Sequence, residues 1–178
     1  GCTSLKEFDL KSVKSIGRYA FYDCASLTGS LILPEGLSSV GAYAFGGCKS
    51  FNGQLVLPEG LTSVGNQAFY GCSGLTGSLT IPESLTELGS YAFQGCKGFN
   101  GQLVLPQSMT VISSGAFAGC SGFTGSLILP EGLQEIGSSA FSGCSGLTEI
   151  KIPEGIVEIG REAFNGCTGA KMIRLPKS

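Results

Sequence analysis

The 178-residue chain is predicted to fold as a repeat solenoid, with a parallel β-sheet along one side and short turns or 3₁₀ segments along the other. Three observations lead there. Eight cysteines recur at nearly constant spacing, glycine contributes 29 residues, and charged residues are only 13% of the chain. Ordinary domains carry about 25% charge and about 7% glycine. So skewed a composition points to one unit copied many times.

The cysteines Cys2, Cys24, Cys48, Cys72, Cys96, Cys120, Cys144 and Cys167 stand in sequence at successive spacings of 22, 24, 24, 24, 24, 24 and 23. Aligned on them, the segments CASLTGSLILPEGLSSVGAYAFGG and CSGLTGSLTIPESLTELGSYAFQG repeat one another almost word for word. Seven full units and a partial last unit, CTGAKMIRLPKS, place residues 1–178 in a single array.

Each element of the unit has a physical reading. Leu31-Ile32-Leu33 alternates with the period of a strand, and Pro34 ends it because proline cannot donate to a ladder. Leu37 and Val40 turn the chain back toward the core. Gly41 reads as a corner at positive φ, Ala44-Phe45 starts a short helical turn, and Gly47 and Gly53 read as further turn glycines. No single unit can bury an apolar face alone, so like stacks on like in a continuous parallel sheet at about 4.8 Å per rung. Seven rungs make a rod roughly 35 Å long. Phe21, Phe45, Phe69, Phe93, Phe117, Phe141 and Phe164 then form a spine. The length of the unit, set by the cysteine spacing, falls in the range of leucine-rich repeats.

Composition excludes several functions. The net charge of −2 leaves no footprint for nucleic acid. No apolar run reaches the 18 or so residues of a membrane span. Histidine is absent, which removes the commonest general base and metal ligand. There is no G-x-S-x-G, no phosphate loop and no dinucleotide fingerprint. No catalytic residue, metal or cofactor is predicted.

The repeat also carries a resemblance. Leu147-Thr148-Glu149-Ile150-Lys151-Ile152-Pro153 and Ile159-Gly160-Arg161-Glu162-Ala163-Phe164-Asn165-Gly166-Cys167 resemble the BspA-like, or Treponema-type, leucine-rich repeats of bacterial surface proteins. The resemblance covers essentially the whole chain. It implies a curved solenoid, secretion or surface display, and non-catalytic adhesion or protein binding. Five central units depart from the usual pattern by one additional residue, reading L-T-G-S-L or F-N-G-Q-L before the strand. The two versions alternate, as duplication of a 48-residue pair would produce.

Cysteines on adjacent rungs have parallel Cβ vectors about 4.8 Å apart, whereas a disulfide needs roughly 3.5–4.5 Å. They are expected to be buried thiols that act as small apolar residues and weak donors. Glu35, Glu59, Glu83, Glu131 and Glu154, interrupted by Gln107, should line one edge as a solvated stripe. One carboxylate per rung supplies too few oxygens for calcium.

The position between Leu31 and Leu33 points outward, and its equivalents are Ile32, Val56, Thr80, Val104 and Ile128. Four of the five are aliphatic where a solvated strand would be polar. This stripe, with neighbours Ser30, Gln54, Ser78, Gln102 and Ser126, is the predicted binding face. It ends at Asp9 and Lys151. Between residues 25 and 143 the only charges are Glu35, Lys49, Glu59, Glu83, Glu87, Lys97, Glu131 and Glu135, a low density that protects poorly against association. The chain starts and stops within a unit, with no initiator Met, signal peptide or anchor, so uncapped terminal rungs are expected. The partner is expected to be a protein or a further copy, with no nucleic acid and no membrane insertion. The alternative function is a structural protein that self-assembles into a fibre or sheet through its uncapped ends and its aliphatic stripe.

Overall fold

Leu31-Ile32 and Ser39-Val40 lie on different faces of one turn, and each pairs with its counterpart one repeat on, Leu55-Val56 and Ser63-Val64. The computed structural model describes residues 1–2, 4–6 and 8–174. The close of the partial last unit, Leu175–Ser178, lies outside the described residues. In chain order the strands are β1 (Ser15–Ile16), β2 (Leu31–Ile32), β3 (Ser39–Val40), β4 (Leu55–Val56), β5 (Ser63–Val64), β6 (Leu79–Thr80) and β7 (Glu87–Leu88). They continue as β8 (Leu103–Val104), β9 (Val111–Ile112), β10 (Gly125–Ile128), β11 (Glu135–Ile136), β12 (Leu147–Lys151), β13 (Glu158–Ile159) and β14 (Ile173–Arg174). Every pairing is parallel. The predicted solenoid is therefore the observed fold. It also has a second strand face, odd-numbered, beside the even-numbered one read from L-x-L-P.

The core is a set of ladders. Phe21 to Phe164 stack face to face, with successive ring centroids 5.1–5.7 Å apart. Phe8 extends the stack at 4.9 Å from Phe21, and Phe99 and Phe123 form a second stack at 5.2 Å. Beside the spine runs the cysteine column. The thiols of Cys48, Cys72, Cys96, Cys120, Cys144 and Cys167 donate to the carbonyls of Phe21, Phe45, Phe69, Phe93, Phe117 and Phe141 at 3.0–3.2 Å. All eight cysteines are free and only Cys2 is exposed, as expected of structural thiols. Burial pushes the thiols of Cys48, Cys72, Cys96, Cys120, Cys144 and Cys167 up, Cys48 and Cys144 to about 12.

The A-F-x-x-C face is neither helix nor strand. Its amides alternate in direction. Tyr43, Phe45 and Gly47 donate to Asn66, Ala68 and Tyr70 one rung on, at 2.7–2.9 Å, while Ala44, Gly46 and Cys48 close turns on Gly41, Tyr43 and Phe45 at 3.1–3.2 Å. That alternation requires a left-handed residue, and the residue is Tyr43 at φ 55°, not Gly41 as the sequence suggested. Gly41 serves another purpose: a Cβ there would lie 2.7 Å from the Arg18 nitrogen and 2.8 Å from the Gly17 carbonyl carbon. The glycine lets consecutive backbones touch. Gly53 likewise abuts Ser30 and is no positive-φ turn, whereas Gly47 does have φ 78°.

One rung breaks this rule and the sheet breaks with it. Where other units carry the close-approach glycine (Gly41, Gly65, Gly89, Gly137, Gly160), the unit after Cys96 has Ser113. Those glycine amides donate to the previous rung at 2.7–2.8 Å. At Ser113 the side-chain hydroxyl takes over and donates to the Leu88 carbonyl. The odd-numbered strands consequently divide into β1-β3-β5-β7 and β9-β11-β13.

The even-numbered strands divide too, into β2-β4, β6-β8 and β10-β12-β14, so the expected continuous sheet is interrupted. The first two pairs coincide with the 48-residue duplication. Asn52 and Asn100 accept the Gly29 and Gly77 amides through Oδ1 at 2.8 and 2.9 Å. Ser30 and Ser78 accept the Gln54 and Gln102 amides through Oγ at 3.1 and 3.0 Å. These clamps fasten T-G-S units to N-G-Q units. From N-G-Q to T-G-S the link is a single bridge, Gln54 to Thr76, or the Thr124 amide and hydroxyl on the Gly101 carbonyl at 2.9 and 3.4 Å. A bulge at Gly125/Ser126 absorbs the change to shorter units.

This packing can be tested position by position. Phe93→Ala empties the middle of the spine and should lower the unfolding free energy by about 3–5 kcal/mol in denaturant titration. Gly65→Ala forces two backbones apart and should cost about 1–3 kcal/mol, whereas Ser113→Gly should join β7 to β9 and slow hydrogen exchange at the residue-113 amide. The thiol contribution is fully present below the ordinary thiol value of 9.0 and is lost as pH rises toward about 12, because only the unfolded chain ionises in that window. Denaturation midpoints should fall between neutral pH and pH about 10.5, and Cys96→Ala should lessen the fall.

Candidate binding face

Strand alternation fixes the stripe. Leu31 and Leu33 are 1% and 2% exposed, and Ile32 between them is 66% exposed. Val56 and Val104 are 40% and 44% exposed and Ile128 is 62%, with Thr80 exposed in the same column. The ladder pairs Ile32 with Val56 and Thr80 with Val104. All five predicted positions therefore project from one face, one per rung.

The flanking positions have different roles. Ser30 and Ser78 are the clamp acceptors described above, and Ser126 donates to the Glu149 carboxylate at 3.2 Å. Gln54 and Gln102 use their backbone amides in the clamps and are exposed. Where β8 and β10 fail to ladder, a hollow of about 360 Å³ opens between Val104 and Ile128, with Gln102, Gln107 and Ser126 at its rim. A second hollow of about 330 Å³ lies against Ile32, between Lys6, Phe8 and Phe51.

The stripe runs beside an acidic edge. Glu35, Glu59, Glu83 and Glu131 follow the strand-ending prolines and are exposed. Glu83 accepts the Gln107 amide at 3.0 Å, so the residue that interrupts the row is tied into it. At the last rung Glu149 pairs with Arg174 at 3.0 Å, and Arg174 lies in register with Lys151. Among the described residues no group of three His, Cys, Asp or Glu side chains could hold a metal ion, and no helix is long and apolar enough to cross a membrane.

Two further surfaces escape a reading based on L-x-L alone. Near the first rung Tyr19 and Tyr43 stack at 4.9 Å, Tyr22 meets both edge-on at 5.5 and 5.9 Å, and the Arg18 guanidinium sits 4.8 Å from the Tyr19 ring centre. Farther along, Gly71, Gly95, Gly119 and Gly143 floor a trough of about 570 Å³ walled by Lys49, Tyr70, Gln94 and Lys97. The signal for the trough was present in the sequence: G-C-K recurs at Gly47-Cys48-Lys49 and Gly95-Cys96-Lys97, one 48-residue pair apart.

Comparison with known proteins places this geometry. The profile of the BspA type leucine rich repeat region matches residues 1–124 and 99–178, in six copies. Among solved structures, the Treponema pallidum leucine-rich-repeat protein TpLRR is 32% identical with a TM-score of 0.77, over 93% of this chain and 75% of that one. Leucine-rich-repeat proteins from Eubacterium ventriosum and Bacteroides ovatus are each 25% identical, with TM-scores of 0.64 and 0.54. The Eubacterium match covers 86% of this chain and 45% of that one, and the Bacteroides match covers 97% and 56%. The chain thus spans about half the length of those two proteins. A comparison with curated proteins found no match. A repeated rung with a phenylalanine spine, a thiol column and an L-x-L-P strand, matched along nearly its whole length, makes this chain a member of the BspA-type leucine-rich repeat family.

Proposed function

We propose that the chain is a non-catalytic binding module of a secreted or surface-displayed bacterial protein, and that it engages other proteins through the even-numbered strand face. The observation that carries this reading is the row Ile32, Val56, Thr80, Val104 and Ile128. Four of its five side chains are aliphatic and stand in water, on either side of Thr80, in one column along five consecutive rungs. The family supports it: leucine-rich repeats are repeated scaffolds whose extended faces bind partners. The acidic edge along the stripe adds orientation, since charges at a rim steer encounter and fix register more than they add affinity.

The test separates the face from the fold. Purified extracellular proteins are screened for binding to the wild-type chain by biolayer interferometry. Val56→Lys with Val104→Lys should weaken any specific complex at least tenfold while leaving the circular dichroism spectrum and melting midpoint unchanged. Thr62→Lys, beside β5 on the odd-numbered face, should leave it intact. A complex that tolerates the double lysine change removes the assignment of this face.

A further inference from the structure

Charge is segregated around the rung. All six glutamates between residues 25 and 143 lie either at the turn that ends the stripe strand (Glu35, Glu59, Glu83, Glu131) or on the odd-numbered strands that follow it (Glu87, Glu135). Both lysines of that stretch, Lys49 and Lys97, stand on the wall of the trough instead. Among the described residues neither lysine takes part in an ion pair. The molecule thus presents an aliphatic ridge with an acidic margin on one face and a hollow with a basic margin on another.

Shape follows the same division. The ridge projects one branched side chain per rung. The trough floor presents none. Gly71, Gly95, Gly119 and Gly143 have φ of 67–75°, a conformation that favours glycine, and a Cβ on Gly71 would meet nothing within 4 Å. Both surfaces are built on the same rungs, so their periods match. Lys49 and Lys97 are two rungs apart, about 10 Å, as are Glu35 and Glu83, or Glu83 and Glu131. Ridge packed on ridge would leave the acidic margin without a counter-charge, whereas ridge packed in trough brings it the two lysines.

From this complementarity we infer that the occupant of the stripe is a second copy of the chain, docked with its trough over the ridge and its axis parallel to the first. The inference rests on the reading of the stripe as a contact face and names its partner. Such a contact is head-to-tail: each copy keeps one free ridge and one free trough, so association continues beyond a dimer. Exposed ion pairs are weak and screened by salt, so the contact is concentration-dependent and loosens as ionic strength rises.

The test uses sedimentation velocity from micromolar to near-millimolar chain, at low and high salt. Wild type should grow in mass with concentration, less so in high salt. Val56→Lys/Val104→Lys spoils the ridge and Lys49→Glu/Lys97→Glu spoils the trough. All four positions are exposed, so both variants keep the wild-type melting midpoint. Each variant alone should stay monomeric, and an equimolar mixture should stop at a heterodimer, intact ridge in intact trough. A wild-type chain that is monomeric throughout overturns the inference. So does growth that persists in the trough variant, or a mixture that remains monomeric. If wild type is monomeric yet the double lysine change on the ridge still abolishes capture of another protein, the stripe remains a contact face and its occupant is that protein.

Discussion

Backbones that return to within hydrogen-bond reach of themselves once per repeat, Leu31 beside Leu55 and Ser39 beside Ser63, are the constraint on which everything else depends. Once that register is set, each residue stacks on its own counterpart, and the chemistry of a position becomes the chemistry of a column. Phenylalanine gives a continuous stack, and cysteine gives a chain of thiols, each hydrogen-bonded to a carbonyl. Glycine gives either a contact between backbones or a bare floor, according to where it falls in the rung. The surface obeys the same rule. A single aliphatic residue on a strand would be ordinary, but a column of them becomes a ridge.

The register accounts for which parts of the structure were legible in the sequence. Leu31-Ile32-Leu33 is long enough to show alternation, so the inward and outward positions and the whole stripe could be read directly. The odd-numbered strands are pairs such as Ser39–Val40, too short to carry a period, and the second strand face went unread. Glycine was the other obstacle. Gly41 and Gly47 look alike in the sequence, yet one permits backbone contact and the other supplies positive φ, while the left-handed corner itself belongs to a tyrosine. Only the position of the neighbouring rung distinguishes the two uses, and that lies a full repeat away along the chain.

Details that look like variation within the repeat turn out to be connections. The alternation of T-G-S with N-G-Q reads at first as a record of duplication. In the structure it is a clamp, with the Asn52 amide group reaching back to Gly29 and the Gln54 amide reaching Ser30. The flanking serines of the predicted face are thereby structural at Ser30 and Ser78, and the proposed contact falls to the aliphatic column. The trough on another side owes its openness to glycines held at positive φ by the same rung-to-rung hydrogen bonds.

Ser113 has a consequence for cooperativity. In a linear array, stability is a sum over units and over the interfaces between neighbours, and a chain unfolds as one body only while every interface is strong. The interface that Ser113 crosses has lost its β7-to-β9 ladder, though the spine and the A-F-x-x-C hydrogen bonds still span it. With the β4-to-β6 and β8-to-β10 interfaces, which keep their odd-numbered ladders instead, it is one of three joints at which the array holds by one strand face alone. One serine in place of a glycine thereby adds a joint on the odd-numbered face to the two on the even-numbered face, and the three together bound the length over which this solenoid behaves as a single cooperative unit.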